Sequence, residues 1–229
     1  MFSASTTLSE RELISAAIPL ASKSEADFAV VSRILDVGVA LAMLLFLLPV
    51  MLLIPIGIWI SDPGPVFFTQ KRVGKNGRII KCYKFRTMCV DADEKLKKLL
   101  AANPKLREEW KLKQKLDRDP RITRLGQFLR QSSLDELPQL FSIIVGDMSL
   151  VGPRPIVESE IPRYGRFITS YLSVKPGLTG LWQVTGRNNT TYRRRVATDV
   201  FYVRSKSLLL DLKILLATVP AVLTGRGSC

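Results

Sequence analysis

The chain has 229 residues, 34 Lys and Arg against 20 Asp and Glu, a net charge of +14 and no histidine. That length suits one domain, or one domain with a membrane anchor, and the charge suits a phosphorylated substrate or an anionic membrane surface. No zinc-ligand, helix-turn-helix or aromatic RNA-binding signature supports a nucleic-acid partner, and without histidine acid–base or covalent chemistry falls to Asp, Glu, Lys, Tyr, Ser, Thr or Cys.

Residues 1–30 read as a flexible tail. Val37 to Ser61 is uncharged and nearly all apolar. About 20 residues cross a bilayer core, so the run is long enough to span. Pro49, in its middle, lacks an N–H and clashes with the carbonyl of Leu45, and Pro55 adds a second disturbance. Lys23 and Arg33 precede the run, and Lys71, Arg72, Lys75 and Arg78 follow it. Basic residues on both flanks suit two cytoplasmic ends. A re-entrant helix–break–helix over 31–61 meets both observations. A kinked transmembrane helix is the alternative.

The remainder, 62–229, reads as the globular part. Ser61-Asp62-Pro63-Gly64-Pro65 is a turn cluster. Val66 to Gln70 and Ile79 to Phe85 read as strands joined through Asn76-Gly77. Asp91 to Leu100 reads as a charged helix. A second helix, capped by Asn103 with Pro104 at its first position, runs to about Leu116. Thr123 to Gln131 and Ser133 to Val145 read as further helices. Gly152-Pro153-Arg154-Pro155 and Lys175-Pro176-Gly177 are turns, the latter followed by apolar Leu178 to Val184. Leu208, Leu212, Leu215, Leu216 and Val219 form one helical stripe. It suits a helix lying in the membrane interface or a core helix. Cys82, Cys89 and Cys229 lack metal or disulfide spacing and read as reduced thiols.

Asp135-Glu136 is the sharpest candidate site. Ser133 with Glu136 three residues on is a capping box, which alone would explain both acids as helix-end residues. Arg121, Arg124, Arg130 and Arg154 lie near in sequence, and arginines around a helix start suit phosphate. Two carboxylates there suit a divalent cation that bridges phosphate oxygens, and a carboxylate is a credible phosphoryl-accepting nucleophile. Lys84 and Arg86 alternate with aromatics on a strand and should share one face. They suit either phosphate contact or an exposed basic face. Arg187 follows Gly186, which lets backbone approach a ligand. Asp199 is an acid among apolar residues, set either in a structural pair or in a metal or phosphate site.

The order of motifs resembles a known family. It comprises the proline-bearing apolar run, Asp62-Pro63-Gly64-Pro65-Val66-Phe67-Phe68, Tyr83-Lys84-Phe85-Arg86-Thr87-Met88, Ser133-Leu134-Asp135-Glu136-Leu137-Pro138-Gln139-Leu140, Gly146 to Pro155 and Pro176 to Arg187. From about Val31 onward the chain resembles the bacterial sugar transferases, the monotopic polyprenyl-phosphate phosphoglycosyl transferases. The 103–123 region is similar to the exopolysaccharide-initiating members. The resemblance implies an α/β, mostly α, fold: a re-entrant membrane helix hairpin plus a small membrane-associated catalytic domain on the cytoplasmic face of the inner membrane. It implies transfer of galactose- or glucose-1-phosphate from a UDP-sugar to undecaprenyl phosphate, releasing UMP and initiating an exopolysaccharide. Asp135 would be the nucleophile, and Glu136 with Asp135 would hold Mg2+. Lys84, Arg130 and Asp199 match active-site positions, and Arg154 and Arg187 match the nucleotide-sugar pocket. Many members have Ser before the break proline, where this chain has Leu48. The multi-span N-terminal region of larger relatives is lacking, so a minimal catalytic unit is expected, in contact with membrane lipid; a homo-oligomer is compatible with the sequence. The competing classes are a non-enzymatic module for anionic lipid and an ordinary glycosyltransferase that releases UDP.

Overall fold

The computed structural model describes residues 23–113, 116, 118–186 and 191–223. Helix α1, Lys23–Ser61, is one unbroken helix with Pro49 and Pro55 inside it. The interruption expected at Pro49 is not seen, and the helix starts at Lys23 rather than near Val31. Prolines inside a long apolar helix survive where side chains and neighbouring elements compensate the lost N–H. The stretch Asp27–Ser61 is long and apolar enough to cross a membrane.

One stripe of α1 faces the globular part. Asp36, Ala40, Ile54 and Ile58 are buried, whereas Leu45, Phe46, Leu52, Leu53 and Ile60 on other faces are exposed. Polar contacts fix the N-terminal half. The Arg33 guanidinium donates to the carbonyls of Ile143 and Ile144. Asp36 Oδ2 accepts from Ser149 Oγ at 2.8 Å and Oδ1 from Leu150 N at 2.9 Å.

Strands β1 (Phe67–Val73) and β2 (Ile79–Phe85) form the expected antiparallel hairpin, Phe67 opposite Phe85 and Val73 opposite Ile79. Asn76 (φ 57°) and Gly77 (φ 75°) take the left-handed turn that this pair favours. Helices α2 (Ala92–Ala102) and α3 (Pro104–Lys113) follow. Asn103 Oδ1 accepts from the N–H groups of Lys105 and Leu106, the expected cap. Thr123 Oγ1 caps α4 (Arg124–Gln131) through Gly126 N at 2.9 Å.

The next segment departs from expectation. Instead of one helix from Ser133, the chain makes a 3-10 turn over Leu134–Glu136 and then α5 (Gln139–Val145). Ser133 is left-handed (φ 58°) and caps nothing with its side chain. Pro138 lacks the N–H that a continuous helix would use, so α5 restarts after it.

Strands β3 (Ser149–Val151) and β4 (Gly177–Thr179) pair in parallel, Val151 opposite Thr179. Between them lie short helices α6 (Ile161–Tyr164) and α7 (Ile168–Leu172), and after them α8 (Leu181–Thr185), α9 (Tyr192–Ser205) and α10 (Leu208–Leu223). The chain is mostly helical, with two small sheets. The main core joins α1 to β2, α4, α5, β3, Tyr202 and Ile214; a second cluster gathers Val73, Ile156, Tyr164, Tyr171, Val196 and Val200. On α10, Ile214 is buried, while Leu209, Leu212, Leu216 and Val219 are exposed. Most of the apolar stripe therefore faces outward, while Leu215 with Leu210 and Ile214 packs on the core, so the helix serves both the core and the outer surface.

Candidate active site

Two close approaches assemble the site. A Cβ at Gly126 would stand 2.0 Å from Thr87 O, so glycine lets α4 lie directly on the segment after β2. Arg130 Nε then donates to Thr87 Oγ1 at 2.8 Å. This seats the Asp135 turn, which follows α4, beside Lys84 of β2. Similarly, a Cβ at Gly177 would meet Gly152 N at 2.1 Å, and one at Gly180 would meet Gly152 O at 2.3 Å. These glycines let β3 and β4 pair closely, and Arg154 and Trp182 emerge at equivalent positions beyond paired Val151 and Thr179. Such sites beyond the carboxyl ends of parallel strands commonly receive ligands.

Lys84 Nζ lies 2.5 Å from Glu136 Oε1 and 3.7 Å from Asp135 Oδ2, and Arg154 Nη2 lies 3.1 Å from Glu136 Oε1. Asp135 is 8% exposed. Burial pushes its carboxyl above the ordinary value, and Lys84 works against that rise. Burial also disfavours the Glu136 anion, yet Arg154 and Lys84 outweigh it and hold that carboxyl at about 2. Neighbouring acids driven in opposite directions are suited to different tasks. Glu136 stays an anion that fixes cations. Asp135 becomes a more basic, desolvated carboxylate, which favours nucleophilic or proton-accepting work.

Both acids line a groove of about 1350 Å³. One wall is apolar: Val39, Met43 and Leu47 of α1 with Leu215, Leu216 and Val219 of α10. The other is cationic and aromatic: Lys84, Arg130, Arg154, Trp182 and Arg195. A smaller pocket beside Glu136 is lined by Arg72, Gln139 and Arg154. The arrangement suits a ligand that is anionic at one end and apolar at the other.

The structure brings together Asp135, Glu136, Lys84, Arg130 and Arg154. Arg86 borders the same groove as Lys84, but its guanidinium is held by Asp62, bonding that residue's carbonyl and pairing with its carboxylate at 3.5 Å. Arg86 lies just past the end of β2, so strand alternation no longer governs it. Asp199 is buried and accepts from Tyr164 Oη at 2.7 Å. Burial raises its carboxyl to about 6. Its partner Tyr164 belongs to the second core cluster, and Arg195, which borders the groove, offsets part of that rise. Arg187 lies outside the described residues. Sequence reasoning missed Arg72, Gln139, Trp182 and Arg195. The Arg195–Asp199 spacing of one helical turn was a readable signal. Gln139 and Trp182 stand inside the quoted motifs, but no spacing or charge singled them out there.

Among the described residues no group of three or more His, Cys, Asp or Glu side chains is placed for a metal. Asp135 and Glu136 supply two carboxylates, the number that Mg2+ commonly takes when substrate phosphates and water complete its shell.

The model of the family described as bacterial sugar transferase matches residues 28–225. Two proteins named exopolysaccharide production protein ExoY are similar: 50% identical in Rhizobium meliloti and 48% in Sinorhizobium fredii, each over 86% of this chain and 87% of the relative. An undecaprenyl-phosphate galactose phosphotransferase from Salmonella typhimurium is 46% identical over 86% of this chain and 41% of its own length. The carboxylate pair beneath a half-apolar groove thus sits in a sequence matched almost end to end: the chain is a transferase enzyme and belongs to the bacterial sugar transferase family.

Proposed function

We propose that the enzyme transfers hexose-1-phosphate, with galactose or glucose as the hexose, from a UDP-sugar to undecaprenyl phosphate, releasing UMP and initiating an exopolysaccharide. The names of the relatives point to this chemistry. The observation that carries it is Asp135: a buried, basic carboxylate within reach of Lys84, in a groove with one cationic and one apolar wall. A nucleotide-sugar fits the first wall and a polyprenyl chain the second.

An Asp135 oxygen attacks the β-phosphorus of the UDP-sugar. The bond from that phosphorus to the bridging oxygen breaks, and UMP leaves with the electron pair. Lys84 and Arg154 neutralise charge at the transferring phosphoryl group, the main catalytic need in such chemistry. A phosphate oxygen of the lipid then attacks the same phosphorus, releasing the Asp135 carboxylate and forming the sugar diphospholipid. Asp135 and Glu136 would hold Mg2+, which when bound supplies further charge neutralisation on the diphosphate. Arg130 braces the Asp135 turn against Thr87.

The apolar helix is read as re-entrant without a gap in its helical turns, bent at Pro49 and Pro55 so that both ends lie on the cytoplasmic face. Support comes from its two ends. Arg33 and Asp36 grip α5 and β3, while Gly57 approaches Leu125 of α4 within 3.1 Å of a built Cβ. A rod crossing a bilayer core of about 30 Å would set its ends on opposite sides, beyond reach of one polar domain. The exposed face of α10 then lies in the same interface.

The test is incubation with UDP-galactose and UDP-glucose carrying a labelled β-phosphate, without lipid acceptor. Labelled protein and UMP are expected, with the label lost in Asp135→Asn and chased into lipid by undecaprenyl phosphate. Release of UDP would refute the reaction class. UMP formed only with acceptor, and no labelled protein, would favour direct transfer with Asp135 as base.

A further inference from the structure

Arg195 is the most conspicuous cation that the proposed chemistry leaves unused. It lies on α9 and borders the groove. Its guanidinium carbon lies over two aromatic rings, 4.9 Å from the Trp182 centroid and 5.3 Å from that of Tyr192. Nη1 reaches Glu160 Oε1 at 3.4 Å, a long contact. Nε and Nη2 are buried and have no partner, and neither has the indole Nε1 of Trp182. Nε and Nη2 share the edge of a guanidinium that binds carboxylate or phosphate through two parallel N–H donations. Leaving them unmatched in a buried site is costly, which argues for an acceptor brought by a ligand.

The surrounding charge says which ligand. Arg72 Nη1 stands 3.8 Å from Glu160 Oε2, so Glu160 is shared by Arg72 and Arg195. Arg72 and Arg154 line the pocket beside Glu136. Arg72, Arg154 and Arg195 thus gather against Glu136, which pairs with Arg154, Glu160, which Arg72 and Arg195 share, and Asp199, whose charge Arg195 also feels. We infer that the Nε–Nη2 edge of Arg195 is a phosphate fork that receives the nucleotide phosphate of the donor, the one that departs as UMP, with the Trp182 indole N–H as a third donor. The inference rests on the nucleotide-sugar reading above. Because the fork is covered, the wall at Trp182 shifts to admit the phosphate, and the indole senses that shift. Arg195 would hold UMP while the Asp135–phosphorus bond forms and would offset the charge of the leaving phosphate.

The experiment titrates the full chain in lipid nanodiscs with UMP, with uridine and with a polyprenyl phosphate, as wild type, Arg195→Lys and Arg195→Met. UMP affinity is expected to fall by roughly 10- to 100-fold in Arg195→Met and by less in Arg195→Lys, with uridine and lipid phosphate binding retained. Unchanged UMP affinity overturns the assignment, and so does an equal loss for uridine. A loss confined to lipid phosphate gives the fork to the acceptor and overturns it as well. If Arg195→Met does not fold, a chain with Trp59→Phe and Trp110→Phe, leaving Trp182 as sole tryptophan, decides. Its emission should shift with UMP and not with uridine, and no shift refutes the fork. UMP binding needs no covalent step. Fork-dependent binding without labelled Asp135 would therefore sink the proposed reaction alone, and the converse result the fork alone.

Discussion

Lys84 lies within ion-pair distance of both acids of the site, whereas Arg154 does so only for Glu136. That difference sets the pH behaviour. Glu136 is held at about 2 against an ordinary 4.5, so it contributes stability that is present above pH 4.5 and lost as pH falls toward 2. Asp135 is shifted upward, so its reactive anion is lost on acidification before that of an ordinary aspartate. Lys84→Met removes the leading cation opposing that shift. The acid limb of the kcat–pH profile should move to higher pH, and kcat should fall by roughly 10²–10³-fold; an unmoved limb would detach Lys84 from Asp135. Asp135→Asn should lower turnover by at least about a thousandfold with unchanged thermal unfolding. Asp199 titrates at about 6 in the fold against an ordinary 3.8, so the fold prefers its neutral form and loses that stability as pH rises through 6. Asn keeps an acceptor for Tyr164. Asp199→Asn should therefore gain in Tm relative to wild type as pH goes from 4 to 7.5, and a flat difference would contradict the burial argument.

At the scale of elements, the site depends on how closely α4 and the Asp135 turn approach β2. Gly126→Ala sets a methyl against the Thr87 carbonyl and should cost about 1–3 kcal/mol, read in urea unfolding, with activity falling as Arg130 loses Thr87. Ser133 turns the chain through a left-handed conformation. Ser133→Val should cost about 1–2 kcal/mol, and Ser133→Gly nothing comparable. Equal stability of the Val and Gly variants would mean that this turn relaxes. The elements with local signals were legible beforehand. The Asn76-Gly77 hairpin, the Asn103 cap and the Pro104 helix start are dictated by neighbouring residues. The 133–145 helix was not, because Ser133 and Glu136 have capping-box spacing while Pro138 and the Leu134 and Leu137 core contacts favour a turn and a restart.

At the scale of the whole molecule, the apolar helix, the outward face of α10 and the half-apolar groove define one surface. Cysteine labelling at positions 5 and 75 in a Cys-free background should find both protected from a periplasmic reagent in intact cells and reactive in inverted membranes. Labelling of position 5 from the periplasm would make α1 a true span. On the proposed reaction the same surface would let one groove serve two unlike substrates: its cationic and aromatic wall comes from β2, α4, the turn after β3, α8 and α9, and its apolar wall from α1 and α10.

Charge, the absence of histidine, the uncharged run and the order of motifs around Asp135-Glu136 were enough to name the family and a transferase activity, and to propose a carboxylate-based phosphoryl chemistry at a membrane. These are properties of composition and of contiguous residues, so they survive without coordinates. Tertiary structure alone decided that burial raises Asp135 while Arg154 and Lys84 hold Glu136 low, that Arg86 serves Asp62, and that Asp199 answers to Tyr164. It also brought Arg195 over Trp182 and Tyr192. The reason is physical: desolvation and charge at a site act over a few ångströms in space, and strand pairing and glycine-enabled close packing, rather than sequence distance, determine which side chains share that space.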